Sequence, residues 1–550
     1  MKGFYLKPKF FSVIPKYSGQ QAVKDVVAGI IVAVIALPLS IALAIASGVE
    51  PACGIYTAIA AGFIVALLGG SRVQIAGPTA AFATIVAGIV AKNGMGGLFV
   101  ATVLAGIILI LMGVLKLGAL IKYIPYTITT GFTAGIAVTI FIGQIKDFLG
   151  LSYAAGVKPI ETIEKIEANI EAASTFSPQA LLVGAVCLAI LIVYPRFEKR
   201  IPPSLIAVVL GALMVKFIPG LDSGVNTIGE LYDIPMGLPR VDFGSIDFSL
   251  SNIGQLLPDA FTIAILAAIE SLLSCVVADN MINSKHNSNA ELVAQGVANI
   301  GSVMFGGIPA TGAIARTAAN VKNGGRTPVA GMVHSVVLLL VLLFLMPYAG
   351  LIPMPTIAAI LFMVAYNMSE WRRLKRIITS APKSDIAVAV VTFLLTVVFD
   401  LVVAIEVGML MAIILFMKRM SDKAEVNEWE RDIEDGIHLP ENIKVFELNG
   451  PLFFGSADKV AEIAIDKKTQ FVILRMRGVT ALDSTAMNSL EALYQKCQKN
   501  SIKLILSHVN TQPLSVMNKC GFVKAVGKEN FCEHIDAALK RAEKLSKQIS

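Results

Sequence analysis

Two ionisable residues lie inside long apolar stretches of this 550-residue sequence. Arg316 occurs in Ala-Ile-Ala-Arg-Thr-Ala-Ala-Asn, and Glu270 occurs in Ala-Ala-Ile-Glu-Ser-Leu-Leu-Ser. A charge in such a setting is unfavourable unless it faces a cavity or a partner, so it usually marks a functional site. Arg316 could balance a bound anion, and Glu270 could carry a proton, with Ser274 one helical turn away on the same face. A permanent, purely structural Glu270–Arg316 ion pair is the alternative that the sequence leaves open.

A break rich in Gly and Pro precedes a short apolar helix in each half of the sequence. Gly-Gly at 69–70 leads to Ile-Ala-Gly-Pro-Thr-Ala-Ala at 75–81, and Gly-Gly at 306–307 leads to Ile-Pro-Ala-Thr-Gly-Ala at 308–313. The free N–H groups and positive dipole of a helix start can bind an anion without a charged side chain. Two such starts that face each other would form an anion site, unless each break only kinks a packing helix. The residues of this predicted site are Thr79, Ala80 and Ala81 on one helix, and Ala313, Ile314 and Ala315 on the other.

These residues require a membrane around them. The chain is 55% hydrophobic and 15% charged, with a mean hydropathy of +0.72, whereas a soluble protein carries about 25% charged residues. Only a bilayer tolerates so much apolar helix. The pattern predicts a polytopic α-helical membrane protein with fourteen segments, near 24–47, 51–69, 77–91, 97–115, 121–146, 180–195, 203–219, 254–280, 290–304, 311–322, 328–349, 355–367, 382–398 and 402–420.

The two breaks begin the third and the tenth segments, which are seven apart. Because seven is odd, the two halves would be repeats of inverted topology, and short interrupted segments at matching positions point to a transporter site. The connections at 151–179 and 220–253 are rich in Glu and Asp, whereas Lys and Arg gather at other segment ends. The positive-inside rule therefore favours a cytoplasmic N-terminus at 1–23 and a cytoplasmic C-terminus.

Residues 421–550 differ in composition from the membrane region at 24–420. We expect a linker at 421–439 and a small α/β domain at 440–550, because strand-like runs alternate with helix-like stretches. The strand-like runs are 443–448, 471–476 and 501–506, and the helix-like stretches are 456–467, 483–499, 511–519 and 531–547. The sequence has six scattered cysteines and no C-x-x-C pair, which argues against a metal site. The net charge of +7 is spread over segment ends, which argues against a nucleic-acid partner. No nucleophile–base set indicates an enzyme.

Eight ordered stretches resemble the SulP family, also called solute carrier family 26, over essentially the whole chain. They begin at Ala36, Gly54, Gly70, Gly77, His286, Gln295, Arg316 and Gly324. The resemblance implies seven-plus-seven inverted repeats, a core domain that rocks against a gate domain, a homodimer in a bacterial inner membrane, and a C-terminal STAS domain. The stretch Ala-Leu-Asp-Ser-Thr-Ala that begins at Ala481 fits a STAS domain. In the similar anti-sigma-factor antagonists, the Ser after this Asp is phosphorylated, and the match places this Ser at Ser484. The STAS domain could also recruit a cytoplasmic partner, which is a membrane-scaffold alternative to transport.

Within the family, the chain looks similar to bacterial aerobic C4-dicarboxylate transporters, through stretches that begin at Ile269, Ala313, Met363 and Gly450. This similarity implies proton-coupled uptake of succinate-like anions and no other cofactor. The chain is also similar to cyanobacterial bicarbonate transporters that use sodium, but Arg316 would repel a sodium ion. A sodium-coupled bicarbonate transporter and a passive anion exchanger or channel remain alternatives. Animal members carry a Gln and a Phe near the anion, where this chain has Leu39 and Leu43.

Overall fold

The computed structural model describes residues 6–119, 125–157, 159–198, 201–233, 237, 247–399, 401–429, 440, 442–464, 466 and 468–549. The chain divides into two compact units, Met1–Met409 and Leu410–Ser550. The first unit contains most of the apolar helices, and the second contains the α/β domain.

The described residues of the apolar region form thirteen helices that correspond to predicted segments, and we number them α1 to α13. The third helix is broken at Gly94, whose φ of 67° and ψ of −173° are not helical, so the helices make fourteen segments. Both the break and the number of segments confirm the predicted pattern. Among the described residues, six helical stretches are long and apolar enough to span a membrane, one of them being α5 together with the 3-10 turn that follows it. The bounds are α1 Gly19–Ala46, α2 Pro51–Leu68, α3 Ala80–Val114, α4 Tyr126–Leu149, α5 Pro178–Val193, α6 Pro203–Phe217, α7 Leu250–Ile282, α8 Ser288–Met304, α9 Ile314–Lys322, α10 Val329–Phe344, α11 Met354–Met368, α12 Lys383–Val398 and α13 Leu401–Asp422.

Helix α9 is too short to cross a bilayer. It has nine residues, which span about 14 Å at 1.5 Å per residue, against about 30 Å for the hydrocarbon layer. Its start therefore lies at depth within the membrane region if its end reaches the surface. The other short helices of this unit are Phe10–Val13, Thr162–Glu171, Ile228–Leu231, Met346–Ala349 and Trp371–Ser380, with 3-10 turns at Ile14–Lys16, Ala172–Thr175, Tyr194–Arg196 and Asp222–Gly224.

The membrane helices pack in two groups that correspond to a core and a gate. In the first group α3 packs on α7 and α8, α2 packs on α8, and α10 packs on α1 and α2. In the second group α4 packs on α11 and α12, while α5 packs on α6 and α11. Helix α13 approaches α12 where a Cβ on Gly408 would lie 2.5 Å from Thr392 Oγ1. Helix α1 contacts α6 and α11, so it links the two groups.

Two short strands cross in the middle of the first helix group. Strand β1, Ala76–Gly77, pairs antiparallel with strand β2, Thr311–Gly312. Each strand leads directly into a helix, because Thr79 occupies the N-cap position of α3 and Ala313 occupies the N-cap position of α9. The antiparallel pairing brings the two helix starts together from opposite halves of the chain, as expected for an inverted repeat.

The C-terminal unit contains a five-stranded sheet. Its strands are β3 Glu425–Glu428, β4 Ile443–Asn449, β5 Phe471–Gly478, β6 Lys503–Ser507 and β7 Phe531–Cys532, in that order across the sheet. Strand β3 is antiparallel to β4, and the other neighbours are parallel. The helices of this unit are Ala457–Ala461, Ser484–Lys499, Thr511–Lys519, Phe522–Val526 and Ile535–Ile549, with a 3-10 turn at Lys528–Asn530.

Three sequence expectations for this unit differ from the structure. Strand β3 lies within 421–439, which the sequence assigned to a linker, because its pairing with β4 comes from a partner that local composition does not reveal. The helix expected over 456–467 covers only Ala457–Ala461. Residues 531–532 form the edge strand β7, and the last helix begins at Ile535. Apolar side chains cover both faces of the sheet, so it is buried between helices as parallel sheets require.

Candidate anion-binding site

The crossing of β1 and β2 positions two helix starts. Gly77 pairs with Thr311 and Ala76 with Gly312, and the Ala313 N–H donates to the Ile75 carbonyl at 2.8 Å. Neither Thr79 nor Ala313 caps its helix with a side-chain hydrogen bond. The first N–H groups of both helices are therefore free of side-chain caps, which is the arrangement that suits an anion.

Arg316 lies one turn into α9 and is almost completely buried. Its side chain is 1% exposed, and Nη2 donates to the Pro78 carbonyl at 3.1 Å. The other two guanidinium nitrogens, Nε and Nη1, have no hydrogen-bond partner among the residues that the structure describes. A buried cation with unused donors is unfavourable unless an anion completes it. Arg316 therefore reaches from α9 across to the residue just before the other helix start.

Gly77 leaves room for this guanidinium. A Cβ at position 77 would lie 2.4 Å from Arg316 Nη1, which is closer than two such atoms can approach. Gly77 thus provides the space that the end of the Arg316 side chain occupies, and a larger residue there would displace the guanidinium.

Glu270 of α7 lies next to the same helix start but binds a different group. Its carboxylate accepts a hydrogen bond from Thr79 Oγ1 at 3.0 Å. Among the described ion pairs, none joins Glu270 to Arg316 within 4.0 Å. The structural alternative of a permanent Glu270–Arg316 pair is therefore wrong for this conformation. Glu270 and Arg316 thus bind neighbouring residues of one junction, Thr79 and Pro78. Each side chain has hydrogen-bonding atoms that these contacts do not use.

Three polar side chains that the sequence analysis did not assign, those of Gln74, Ser271 and Thr317, hold the crossing in place together with Ser274, which it did. The Gln74 amide donates to the Ser271 carbonyl at 3.1 Å and accepts from Ser274 Oγ at 2.9 Å. Thr317 Oγ1 accepts from the Ile75 N–H at 3.0 Å, and Ser271 Oγ accepts from the Gly312 N–H at 3.0 Å. Ser274 thus braces β1 through Gln74. In the sequence, each of these residues is a polar side chain within an apolar stretch. Many membrane helices contain such residues, so this signal does not single them out.

The remaining predicted residues occupy different surroundings. Ala80 and Ala81 are buried, whereas Ile314 and Ala315 at the start of α9 are exposed. Leu43 is 2% exposed, and Leu39 packs against a cluster that includes Ala359 of α11. Leu39 therefore lies where the first helix group meets the second.

His334 of α10 is a buried polar residue beside the crossing. Neither ring nitrogen has a partner, and a Cβ on Gly62 would lie 3.4 Å from both His334 Nδ1 and the Ala76 carbonyl oxygen. Among the residues that the structure describes, no three His, Cys, Asp or Glu residues are grouped so that they could hold a metal ion.

Ser484 lies in the C-terminal unit and begins the helix Ser484–Lys499. Asp483 caps this helix, since its Oδ1 accepts from the Ala486 N–H at 2.8 Å. Ser484 is exposed at the first helical position, where a phosphate would meet the positive end of the helix dipole.

Comparison with known proteins identifies the family. The profile of the sulfate permease family matches residues 23–392. The chain belongs to the sulfate permease family. A STAS domain matches residues 437–538 of this family member, so the predicted family and fold are both confirmed.

Three relatives illustrate the family. The putative sulfate transporter YvdB of Bacillus subtilis is 40% identical over 529 residues, covering 94% of this chain and 98% of its own. The bicarbonate transporter BicA of Picosynechococcus is 34% identical over 461 residues, covering 80% of each chain. The structure of mouse solute carrier 26 family member A9, an anion transporter in its inward-facing state, is similar in fold at 18% identity. It matches with a TM-score of 0.88 over 98% of this chain and 94% of its own. This sulfate permease family member is a multi-pass membrane protein whose relatives are transporters and not enzymes.

Proposed function

We propose that this protein is a secondary active transporter of small anions. The observation that carries the proposal is Arg316, whose guanidinium is buried with two nitrogens unpartnered beside two facing helix starts. A small oxyanion or carboxylate in this place would receive backbone N–H groups, the two helix dipoles and a full positive charge. Sulfate and succinate-like C4 dicarboxylates both meet this description.

Alternating access is the mechanism that the two helix groups support. The proposed anion site lies in the core group, and Leu39 of α1 packs against an apolar cluster of the gate group that includes Ala359 of α11. Movement of one group against the other would expose the site to each side in turn, as in other inverted-repeat transporters. We place the protein in a bacterial inner membrane, as a homodimer with both termini in the cytoplasm.

Glu270 is the proposed coupling group. Its carboxylate is bound to Thr79, the residue that caps the helix start, so its protonation state changes the field and hydrogen bonding at the anion site. Proton binding on one side and release on the other would couple anion uptake to a proton gradient. Protonated Glu270 would reduce the negative charge near the anion and thereby favour its binding.

Sodium-coupled bicarbonate transport is a second candidate. The carboxylate of Glu270 and the hydroxyl of Thr79 are 3.0 Å apart and provide two oxygen ligands of the kind that a hard cation prefers. Arg316 opposes this reading, because its positive charge lies at the same junction and would repel a sodium ion.

Uptake into proteoliposomes distinguishes the candidates. Labelled succinate, sulfate and bicarbonate are offered in turn, under an inward proton gradient, an inward sodium gradient or no gradient. The proposal predicts that succinate or sulfate accumulates above equilibrium only with the proton gradient. Accumulation of bicarbonate with sodium alone would favour the second candidate, and equilibration without accumulation would indicate a passive exchanger or channel. Folded protein that moves none of the three anions would contradict the proposal and leave the scaffold reading.

A further inference from the structure

The helix Trp371–Ser380 connects two membrane helices and has an unusual composition. It reads Trp-Arg-Arg-Leu-Lys-Arg-Ile-Ile-Thr-Ser, with four basic residues among ten. It lies between α11, which ends at Met368, and α12, which begins at Lys383. Because both neighbours are apolar helices, this connecting helix lies at one face of the membrane region.

Some apolar side chains of this helix are buried in the protein, and others are exposed on its surface. Ile377 is buried, and the helix as a whole contacts α4 and α12. Trp371 and Ile378 remain 46% and 47% exposed. Trp371 lies beside Tyr366, since its Nε1 donates to the Tyr366 hydroxyl at 3.5 Å. Exposed Trp and Tyr beside an apolar helix are typical of the level of the lipid headgroups.

The basic side chains are not equivalent. Arg373 is neutralised by Glu370, because its Nη1 lies 2.7 Å from Glu370 Oε1. Arg372, Lys375 and Arg376 are exposed and make no ion pair among the described residues. Their spacing of i, i+3 and i+4 places these three cations on one helix face. Arg372 lies over the Trp371 ring, with Cζ 5.5 Å from the ring centroid.

We propose that the face formed by Arg372, Lys375 and Arg376 binds the headgroups of anionic phospholipids. A short helix with a basic face, an exposed Trp and an anchored apolar side lies in the membrane interface and attracts anionic lipid. Charge complementarity selects the partner, since three unpaired cations at headgroup level match phosphate groups of net negative lipids. The long side chains can reach the phosphates while their methylene groups stay on the apolar boundary.

Tryptophan fluorescence tests this directly, because the chain contains only two Trp residues. The Trp429→Phe variant leaves Trp371 as the sole reporter, and the protein is reconstituted with brominated anionic phosphatidylglycerol or brominated zwitterionic phosphatidylcholine. The expected result is stronger quenching of Trp371 by the anionic lipid than by the zwitterionic lipid at equal fraction. Combining Arg372→Gln, Lys375→Gln and Arg376→Gln should lower that quenching ratio to about one.

A matched control removes the same charge elsewhere. Lys540→Gln, Lys544→Gln and Lys547→Gln lie on the last helix of the C-terminal unit, and they should leave the quenching ratio unchanged. Equal quenching by both lipids in the unmodified helix, or a ratio that survives the triple substitution, would overturn the proposal. So would no quenching by either lipid, because it would mean that protein covers Trp371. If Trp429→Phe does not fold, mass spectrometry of phospholipid retained by the two triple variants on the native background gives the same comparison.

Discussion

In the proposed anion site, Arg316 has no ion-pair partner among the described residues. Its guanidinium keeps one hydrogen bond, to the Pro78 carbonyl, and leaves Nε and Nη1 unpartnered. Removal of an ordinary buried cation relieves a desolvation penalty, whereas removal of a ligand-binding cation abolishes affinity. Variants of the residues around Arg316 separate these two roles.

Gly77→Ala moves the guanidinium without changing its charge. The new Cβ would lie 2.4 Å from Nη1, so the flexible end of Arg316 must shift away from the helix starts. We expect the KM for sulfate or succinate uptake to rise by about tenfold to a hundredfold, since displacement of a charge-assisted contact costs about 1.5–3 kcal/mol. Gly88→Ala on α3, the helix that follows β1, meets nothing within 4 Å and serves as the control. Equal KM values in the two variants would remove Arg316 from the anion site.

Glu270→Gln tests the coupling group. The amide oxygen can still accept the hydrogen bond from Thr79, so the site keeps its shape while it loses the titratable group. Uptake should persist but should no longer respond to an inward proton gradient, measured with labelled anion in proteoliposomes. Glu50→Gln, at an exposed residue before α2, should keep the response. A Glu270→Gln variant with normal proton dependence would exclude Glu270 as the carrier.

The sequence could reveal these residues because charges are rare in apolar segments. Arg316 and Glu270 are conspicuous by their type, and Thr79 by the Gly-Pro before it. Gln74, Ser271 and Thr317 could not be singled out, because their role depends on contacts between residues about 200 or more positions apart. The sequence also left the Glu270–Arg316 pair open, since spacing along the chain gives no side-chain distance.

The crossing of β1 and β2 is the element on which the site depends. Two residues on each strand cannot be stable alone, so the bonds from Gln74, Ser271 and Thr317 hold the register. Loss of these hydrogen bonds would free both helix starts at once. The close packing at the crossing also leaves little room for larger side chains, since a Cβ on Gly312 would meet Gln74 and a Cβ on Gly77 would meet Arg316.

Gly312→Ala should destabilise the element directly. A Cβ there would lie 1.6 Å from Gln74 Nε2 and 3.2 Å from the Ser271 Cα, so the hydrogen bond from Gln74 to Ser271 must break. Overpacking of this kind costs about 1–3 kcal/mol, and we expect a lower Tm in detergent together with weaker uptake. Gly88→Ala should leave the Tm unchanged or higher, because the position has open space and alanine favours the helix. An unchanged Tm for Gly312→Ala would contradict the claim that the hydrogen bond from Gln74 to Ser271 stabilises the crossing.

At this level the sequence predicted the membrane segments well. Apolar length fixed the helices, and the break near residues 92–96 was visible as a gap between two predicted segments, which the structure places at Gly94. Strand β3 could not be predicted, since Glu-Val-Asn-Glu has little strand character and owes its conformation to pairing with β4.

The whole molecule consists of a membrane unit that contains every residue of the proposed anion site and a separate STAS-containing unit. The division into core and gate groups entered the sequence analysis through the family resemblance alone, because apolar helices do not reveal their packing partners by pattern. The weak internal repeat predicted which segments meet, and the β1–β2 pairing has that arrangement.

A chain that ends at Lys423 should keep the anion site. The first compact unit of the chain ends at Met409, beyond α12, and it contains Thr79, Glu270 and Arg316. We expect this truncated protein to bind sulfate or succinate with an affinity similar to that of the full chain, measured after size-exclusion chromatography shows a folded species. A folded truncated protein without anion binding would mean that the STAS domain belongs to the site.

The central claim is that a buried Arg316 and two helix starts bind the transported anion. Titration calorimetry of the detergent-solubilised full chain with sulfate, and then with succinate, tests it most directly. The account predicts measurable binding of at least one anion by the unmodified protein and by Arg72→Gln, an exposed control. Binding by Arg316→Gln should be at least tenfold weaker, by about 1.4 kcal/mol or more, with an unchanged or higher Tm. Undiminished binding by a folded Arg316→Gln variant would contradict the account.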